Sequence, residues 1–310
     1  MAKYIFKRIL GLFATLLLLS LVVFILMHSI PGGPFDLSGG EKGIAVPDAV
    51  RKEILKNAGL DKPLYQQYLI YVWNALHFDF GYSFYKPTQT VAELIGSTWR
   101  ISAQLGILTF VGSTIIGILL GIASGLHQNS IVDYVVTFCS SLGTVFPNFV
   151  VAVILQFIIC VKLKWLPTGG WGEPKHFILP VIAYALSPAS EIARYTRTSI
   201  LEILREDYVR TATAKGVTRK ILVLRHILRN AIIPILTILG PIFSDVMTGS
   251  FYIESIFRVP GLGKYFVTSV PQRDYPMILG TTLLTAALMA VVNLITDILY
   301  GSLDPRIRIE

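Results

Sequence analysis

Residues 193–232 read ARYTRTSILEILREDYVRTATAKGVTRKILVLRHILRNAI, a polar stretch set between two strongly apolar segments. Its apolar residues recur with helical spacing between Ile200 and Val209, and Gly216 fits the left-handed residue that closes many helices. Thr218 can then cap a second helix. The stretch therefore predicts two short helices around a glycine turn, projecting from a pair of membrane spans.

Positive charge dominates residues 191–232, in which nine basic residues oppose only four acidic ones. The basic residues are Arg194, Arg197, Arg205, Arg210, Lys215, Arg219, Lys220, Arg225 and Arg229, and the acidic residues are Glu191, Glu202, Glu206 and Asp207. Loops rich in Lys and Arg are retained on the cytoplasmic side of a membrane. We therefore expect a cytoplasmic segment, with bounds at 194–229.

The composition of the whole chain indicates a membrane protein. Of its 310 residues 53% are hydrophobic, and the mean hydropathy is +0.63. Several apolar runs reach the roughly 20 residues that cross a hydrocarbon core. The predicted fold is an all-α polytopic membrane protein with six transmembrane helices, surrounded by lipid, with both termini in the cytoplasm. The net charge of +8 lies beside the predicted spans, where charge sorting during insertion explains it, so nucleic-acid binding is disfavoured.

Three regions follow one another along the chain. Residues 1–30 hold a basic tip and an apolar run that is too long for a cleaved signal peptide, which predicts an uncleaved first span. Residues 31–98 carry six basic and seven acidic residues, a near balance that predicts an extracytoplasmic segment. Helices are expected there at 47–57 and from Lys62 onward. Residues 99–310 form the predicted transmembrane domain.

The aromatic residues Tyr65, Tyr68, Tyr71 and Trp73 of the extracytoplasmic segment have two interpretations. They could form an interfacial belt packed on the spans, or a surface that contacts solute. The pattern favours the belt, because Trp and Tyr are enriched where membrane meets water.

Glycine and proline residues predict how the spans pack and bend. Gly117, Gly121 and Gly125 recur at four-residue spacing in the predicted span 101–126, a stripe that lets a neighbouring span or subunit approach closely. Pro147 should bend the third span, predicted at 131–161. In the fourth span, predicted at 177–193, a break is expected at two further prolines, Pro180 and Pro188.

Four polar residues within predicted spans are candidates for a translocation pathway. They are Asn148, Gln156, Asp245 and Asn293. Such residues are costly in a bilayer unless they are paired or face water. For Asn148 and Gln156 a hydrogen bond between helices is the more common role, and Asp245 could instead be a neutral acid bonded between helices.

The chain lacks the patterns expected of an enzyme. Gly263 and Lys264 resemble the end of a phosphate-binding loop, but Tyr265 stands where that loop needs Ser or Thr. The five histidines are scattered without metal-ligand spacing, and Cys139 and Cys160 lie in one predicted span and suggest packing. We therefore predict no catalytic residue, no metal site and no cofactor bound by this chain.

Residues 208–216 (YVRTATAKG), followed by 224–226 (LRH) and 229–231 (RNA), resemble the cytoplasmic coupling segment of binding-protein-dependent ABC importer permeases. Within that superfamily the chain is most similar to the first, B-type, permease subunit of the oligopeptide and dipeptide importers. Supporting stretches include 31–35 (PGGPF), 166–170 (LPTGG), 260–263 (PGLG) and 304–308 (DPRIR). The glutamate, isoleucine and proline of the general superfamily pattern are absent, which is usual for the peptide branch.

The resemblance implies a type I importer fold, like that of the MetI family, and a set of partners. These are a second, homologous permease, two ABC ATPase subunits that bind ATP and Mg, an extracytoplasmic solute-binding protein, and a peptide as substrate. The residues expected to couple this chain to an ATPase are Asp207, Tyr208, Arg210, Thr211, Ala212, Ala214, Lys215 and Gly216. Relatives of the family also carry nickel chelates, glutathione or oligosaccharides, which stay open as alternative solutes.

Two other classes of protein fit the sequence less well. A self-sufficient channel or secondary carrier would carry buried charge pairs across many spans and would need no docking segment, and few such pairs are found in the sequence. An intramembrane enzyme would need clustered nucleophiles or metal ligands. The sequence favours the permease of a prokaryotic cell membrane.

Overall fold

The computed structural model describes residues 2–29 and 62–303. The helix predicted at 47–57, the first supporting stretch of the family resemblance at 31–35 and the basic tail at 304–308 lie outside the described residues. The division of the chain at residues 98 and 99 stays a prediction.

The described residues form twelve helices in the order of the chain. They are α1 (Ala2–Ser29), α2 (Leu64–Leu76), α3 (Val91–Leu126), α4 (Ile131–Val145), α5 (Asn148–Leu155), α6 (Pro174–Ile203), α7 (Asp207–Ala214), α8 (Arg219–Ile221), α9 (Leu228–Met247), α10 (Phe251–Ile256), α11 (Gly263–Thr268) and α12 (Tyr275–Leu303). Two of them continue into π-helical turns, α5 into Gln156–Lys162 and α8 into Leu222–Ile227.

Four of these helices are long and apolar enough to cross a membrane. Their apolar parts are Phe6–Ser29, Val91–Leu126, Pro174–Ile203 and Tyr275–Thr296. Two bent pairs pass the same test, Ile131–Val145 with Asn148–Lys162 and Arg219–Ile232 with Pro234–Met247. The six spans predicted from the sequence equal the count reached when each bent pair is one span.

Proline acts differently in two of the spans. The third span bends by 105° between α4 and α5, where Pro147 occupies the N-cap of α5, so the predicted bend is confirmed. The predicted break at Pro180 and Pro188 is wrong, because α6 runs unbroken through both. Both prolines are buried, and packing from neighbouring helices can hold a helix together despite the lost backbone hydrogen bonds.

The described chain divides into two compact units. The first comprises residues 1–100 and 261–290, and the second comprises 101–260 and 291–309. The first has two buried clusters, one around Val91 and Met277 and the other around Phe24 and Tyr275. In the second unit, α3, α6 and α9 contribute Leu105, Ala183 and Val246 to a single larger core.

Three glycines of α3 pack against α6 in the second unit. A Cβ atom on Gly117 would lie 2.7 Å from a carbonyl oxygen of α6, and one on Gly125 would lie 2.9 Å from the Ile200 side chain. A Cβ atom on Gly121 would clash in the same way with the side chain of Thr196. Because no side chain fits in these gaps, the two helix backbones approach closely. The predicted glycine stripe is confirmed, with a neighbouring span as its partner.

Candidate functional site

The polar segment between α6 and α9 is an ordered pair of short helices. Helix α6 extends past the predicted end of the fourth span to Ile203, and a tight turn follows. In that turn the Leu204 amide donates to the Ile200 carbonyl at 2.9 Å and the Glu206 amide donates to the Ile203 carbonyl at 3.1 Å. Helix α7 then starts at Asp207, so the chain turns without a long loop.

Gly216 ends α7 in the way its sequence context predicts. Its φ is +77°, in the left-handed region that glycine adopts without strain. The Gly216 amide donates to the Thr213 carbonyl at 3.0 Å, and the Val217 amide donates to the Ala212 carbonyl at 3.2 Å. These two bonds form a Schellman motif. Thr218 occupies the N-cap of α8, as predicted, but its side chain makes no capping hydrogen bond there.

A buried apolar cluster holds this segment onto the ends of the spans. Ile200, Ile227 and Ala231 are at most 1% exposed, and Leu204 and Leu222 pack against them. Two polar contacts also join the segment to its neighbours. Ser199 donates to the Ala231 carbonyl at 3.3 Å, and the Asn230 amide group donates to the Tyr208 hydroxyl at 2.9 Å. Movement of the segment would therefore carry the ends of α6 and α9 with it.

The predicted coupling residues lie mostly on the surface. Ala212 is half-buried, and the other seven, Asp207, Tyr208, Arg210, Thr211, Ala214, Lys215 and Gly216, are exposed. Asp207 and Arg210 approach within 3.9 Å, but both are so exposed that water screens the pair. Val209, at 4% exposure, is the residue of α7 that faces the protein interior.

A shallow groove runs beside these exposed residues. Its volume is about 510 Å³, and its lining combines the apolar Leu204, Val209 and Leu222 with Arg210 and Ala214. The apolar lining residues offer contact area to a partner, and Arg210 offers positive charge.

A buried ion pair next to this segment was missed by the sequence analysis. Asp133 lies in the first turn of α4 and is 2% exposed. Arg197 of α6 donates two hydrogen bonds to its carboxylate, from Nε to Oδ1 at 2.6 Å and from Nη2 to Oδ2 at 2.9 Å. The Ser124 hydroxyl and the Asn129 amide also donate to this carboxylate. The available signal was a carboxylate inside a predicted span, because such a group is costly unless it is paired.

The four pathway candidates do not form one cluster of hydrogen bonds. The Gln156 amide group donates to the carbonyls of Thr168 at 2.5 Å and Ile256 at 2.9 Å, so it braces two backbone segments. Asn148 is half-buried at the start of α5, and Asp245 and Asn293 are exposed on the isolated chain. Within the described parts of the chain, no hydrogen bond joins two of these four side chains.

Two further buried carboxylates brace other parts of the chain. Glu254, 1% exposed, accepts a hydrogen bond from Ser102 at 2.6 Å. Asp274, 2% exposed, accepts from the Ser83 hydroxyl, the Phe84 amide at 3.1 Å and the Met277 amide at 3.4 Å. Burial raises the pKa of the Asp274 carboxyl, and these hydrogen bonds oppose that shift.

Several apolar spans and an ordered basic segment between two of them, within the described residues, define the class as a multi-pass helical membrane protein. Family comparison identifies the family. Residues 117–309 match the family described as binding-protein-dependent transport system inner membrane component, and residues 1–104 match the corresponding N-terminal family. The chain belongs to this family and is an importer permease subunit, one component of a larger transport system.

Relatives match the chain over its full length. The dipeptide transport system permease protein DppB of Bacillus subtilis (strain 168) is 40% identical over 310 residues, covering 100% of this chain and 99% of the relative. The oligopeptide transport system permease protein OppB of Haemophilus influenzae is 41% identical, covering 99% of this chain and 100% of the relative.

Solved structures share the fold at lower identity. A crystal structure of an amino acid ABC transporter with histidines matches 68% of this chain and 94% of its own, with a TM-score of 0.54 and 16% identity. The MetNI methionine ABC transporter in an inward-facing conformation matches 68% and 96%, with a TM-score of 0.55 and 15% identity. These matches show the type I importer fold.

Proposed function

We propose that this chain is the first permease subunit of an ATP-driven importer for oligopeptides or dipeptides, and that it forms half of the translocation pathway. The full-length identity of about two residues in five to permeases named for dipeptide and oligopeptide transport carries the proposal. The shared length includes the spans, the polar segment and the supporting stretches of sequence at 31–35, 166–170, 260–263 and 304–308.

The proposed partners follow from the same assignment. A second permease completes the pathway, two ABC ATPase subunits bind ATP and Mg, and an extracytoplasmic binding protein delivers the solute. This chain itself hydrolyses no ATP. It lies in the cell membrane of a prokaryote, with both termini and the segment 194–229 in the cytoplasm.

The proposed docking surface for one ATPase is α7 with the glycine turn, residues 207–216. Three features support it. The surface is exposed, it lies beside a groove with an apolar floor, and it is fastened to the spans by the Ile200–Ile227 cluster. When the ATPase pair closes on ATP, the segment would move as a body, and α6 would transmit that motion into the bilayer.

Docking can be tested by filling the exposed surface. Ala214→Trp adds a large side chain to the surface of α7, and we expect it to reduce co-purification of the ATPase subunits at least tenfold. Ala92→Trp is the matched control, since Ala92 is also an exposed helical alanine but lies at the start of α3. Equal co-purification of both variants with the ATPase would contradict the docking surface.

The solute is tested separately from the docking. The binding protein is purified with its ligand, and the ligand is identified by mass spectrometry. A dipeptide or oligopeptide supports the proposal. A nickel chelate, glutathione or an oligosaccharide would refute the peptide assignment and leave the importer class standing.

A further inference from the structure

Helix α2 has an inverted distribution of polarity. Tyr65, Leu69 and Trp73 are 66%, 62% and 66% exposed, and Leu76 continues the same stripe at 53%. Their spacing of four, four and three residues places them on one face of the helix. The glutamines and the asparagine of α2 are half-buried, and its sequence, LYQQYLIYVWNAL, contains no charged residue.

This distribution is the opposite of what water selects. A surface helix in water exposes its polar residues and buries its Leu and Trp side chains. Each large apolar side chain left in water forfeits the free energy that its burial would supply. A continuous apolar stripe of four such residues indicates that the medium facing α2 is apolar.

Hydrogen bonds to α1 fix the depth at which α2 lies. The Tyr68 hydroxyl donates to the Leu17 carbonyl at 3.1 Å and lies 3.0 Å from the Ser20 hydroxyl. Nearer the end of α1, His28 Nε2 is 3.1 Å from Gln67 Oε1. All three α1 residues belong to the apolar span Phe6–Ser29. Leu17 precedes Ser29 by about 18 Å along the helix, more than half of a hydrocarbon core of about 30 Å.

Helix α1 also exposes apolar side chains over the length that α2 contacts. Over the same length of the span, Leu18, Leu21 and Ile25 are exposed large apolar residues. Only 11% of the most apolar window of α1 is buried inside the chain. Acyl chains that surround this end of α1 therefore meet the stripe of α2 as well.

We propose that α2 is an interfacial helix that inserts the stripe Tyr65, Leu69, Trp73 and Leu76 among the acyl chains of the leaflet at the C-terminal end of α1. In the orientation of the proposed function this is the outer leaflet. The Tyr68 contact with Leu17 lies deeper than the roughly 5–10 Å to which amphipathic helices commonly sink into the boundary between headgroups and acyl chains, so α2 enters the acyl-chain layer. Part of the 31–98 segment is then membrane-bound, and its aromatic residues form an interfacial belt.

The experiment uses the complete importer in native membranes, with this chain carrying Cys139→Ser and Cys160→Ala. A single cysteine is then placed in the stripe, as Leu69→Cys or Trp73→Cys, or in the matched control position Tyr85→Cys. Tyr85 is 63% exposed in the same unit but lies outside α2. Labelling by a membrane-impermeant polyethylene glycol maleimide is read from the mass shift of this subunit alone.

We expect both stripe cysteines to react at least tenfold more slowly than Tyr85→Cys in membranes, and at a similar rate after the protein is denatured in SDS. In addition, a phospholipid with a diazirine on its acyl chain should label the peptide that contains residues 64–76.

Three results would overturn the inference. Rapid labelling of both stripe cysteines in membranes would place the stripe in water. Protection in membranes without labelling of residues 64–76 by the diazirine lipid would show that another subunit covers the stripe. Protection that needs added binding protein would make it a protein docking surface. None of these results depends on which solute the importer carries, so each is separable from a failure of the proposed function.

Discussion

Removing Arg197 should destabilise the chain more than neutralising its partner Asp133. The carboxylate of Asp133 is 3% exposed, whereas the side chain of Arg197 is 27% exposed. In Arg197→Leu the buried carboxylate keeps three donors, the hydroxyls of Ser124 and Thr137 and the Asn129 amide. Leaving a buried charge without its counter-ion costs about 3–5 kcal/mol, and we expect the lower end because these three donors remain.

Asp133→Asn has a milder outcome because the group left behind reaches water. The asparagine keeps the shape of the aspartate, and the guanidinium of Arg197 can turn its exposed part to solvent. We expect a loss of about 1–2 kcal/mol, the lower part of the range of about 1–3 kcal/mol for removing one partner of a hydrogen bond. The double variant Arg197→Leu with Asp133→Asn contains no unpaired buried charge, so it should be more stable than Arg197→Leu alone.

The assay is the thermal unfolding midpoint of the purified importer in detergent, followed through this subunit by a fluorescent fusion. The expected order is wild type, then Asp133→Asn, then the double variant, with Arg197→Leu lowest. Solute transported per ATP hydrolysed is measured after the same variants are reconstituted into liposomes. If the double variant shows the sum of the two single losses, the two side chains are not coupled, and the reasoning from the ion pair is wrong.

Three further substitutions test other parts of the structure. Gly117→Ala should cost about 1–3 kcal/mol by overpacking against α6, whereas Gly112→Ala in the same helix, where a Cβ would meet nothing within 4 Å, should be neutral or slightly stabilising; thermal midpoints compare them. Gly216→Ala should lower the thermal midpoint at a cost of about 1 kcal/mol, through its positive φ alone, since no neighbour clashes there, and Gly216→Asn should recover part of that stability because Asn adopts the left-handed region more readily. Asp274→Ala should make the loop at Phe84 several-fold more sensitive to protease than wild type, because the donors around the carboxylate lose their acceptor. Equal protease sensitivity in the two proteins would contradict the bracing role.

Local chemistry made the features of single segments predictable. The turn at Gly216 could be predicted from the conformational freedom of glycine and the helix before it. The bend at Pro147 could be predicted from the amide hydrogen-bond donor that proline lacks. The prolines of α6 had the same local chemistry but a different outcome, because Pro180 and Pro188 are buried among helices that the sequence does not identify.

Long-range pairing was the part that the sequence could not supply. Arg197 was counted among the charges of a cytoplasmic segment, and nothing nearby in the sequence indicates that it turns back to a residue 64 positions away. The partners of Gln156 are backbone carbonyls of Thr168 and Ile256, and any residue type provides such carbonyls. A polar residue within a span therefore indicates that a partner exists without identifying it.

The contacts of α6 show why the proposed docking segment and the spans should move together. Four contacts follow one another along α6. Ile192 packs against Gly117, Thr196 packs against Gly121, Arg197 binds Asp133, and Ile200 joins the apolar cluster at the ends of α6 and α9. We expect a force applied to α7 to pass first to that cluster. Helix α6 would then transmit it to α3 through the close glycine contacts and to α4 through the ion pair. Close-packed contacts of this kind shift between discrete arrangements rather than deform gradually. Loosening the glycine stripe should therefore lower the solute moved per ATP before it lowers ATP hydrolysis itself.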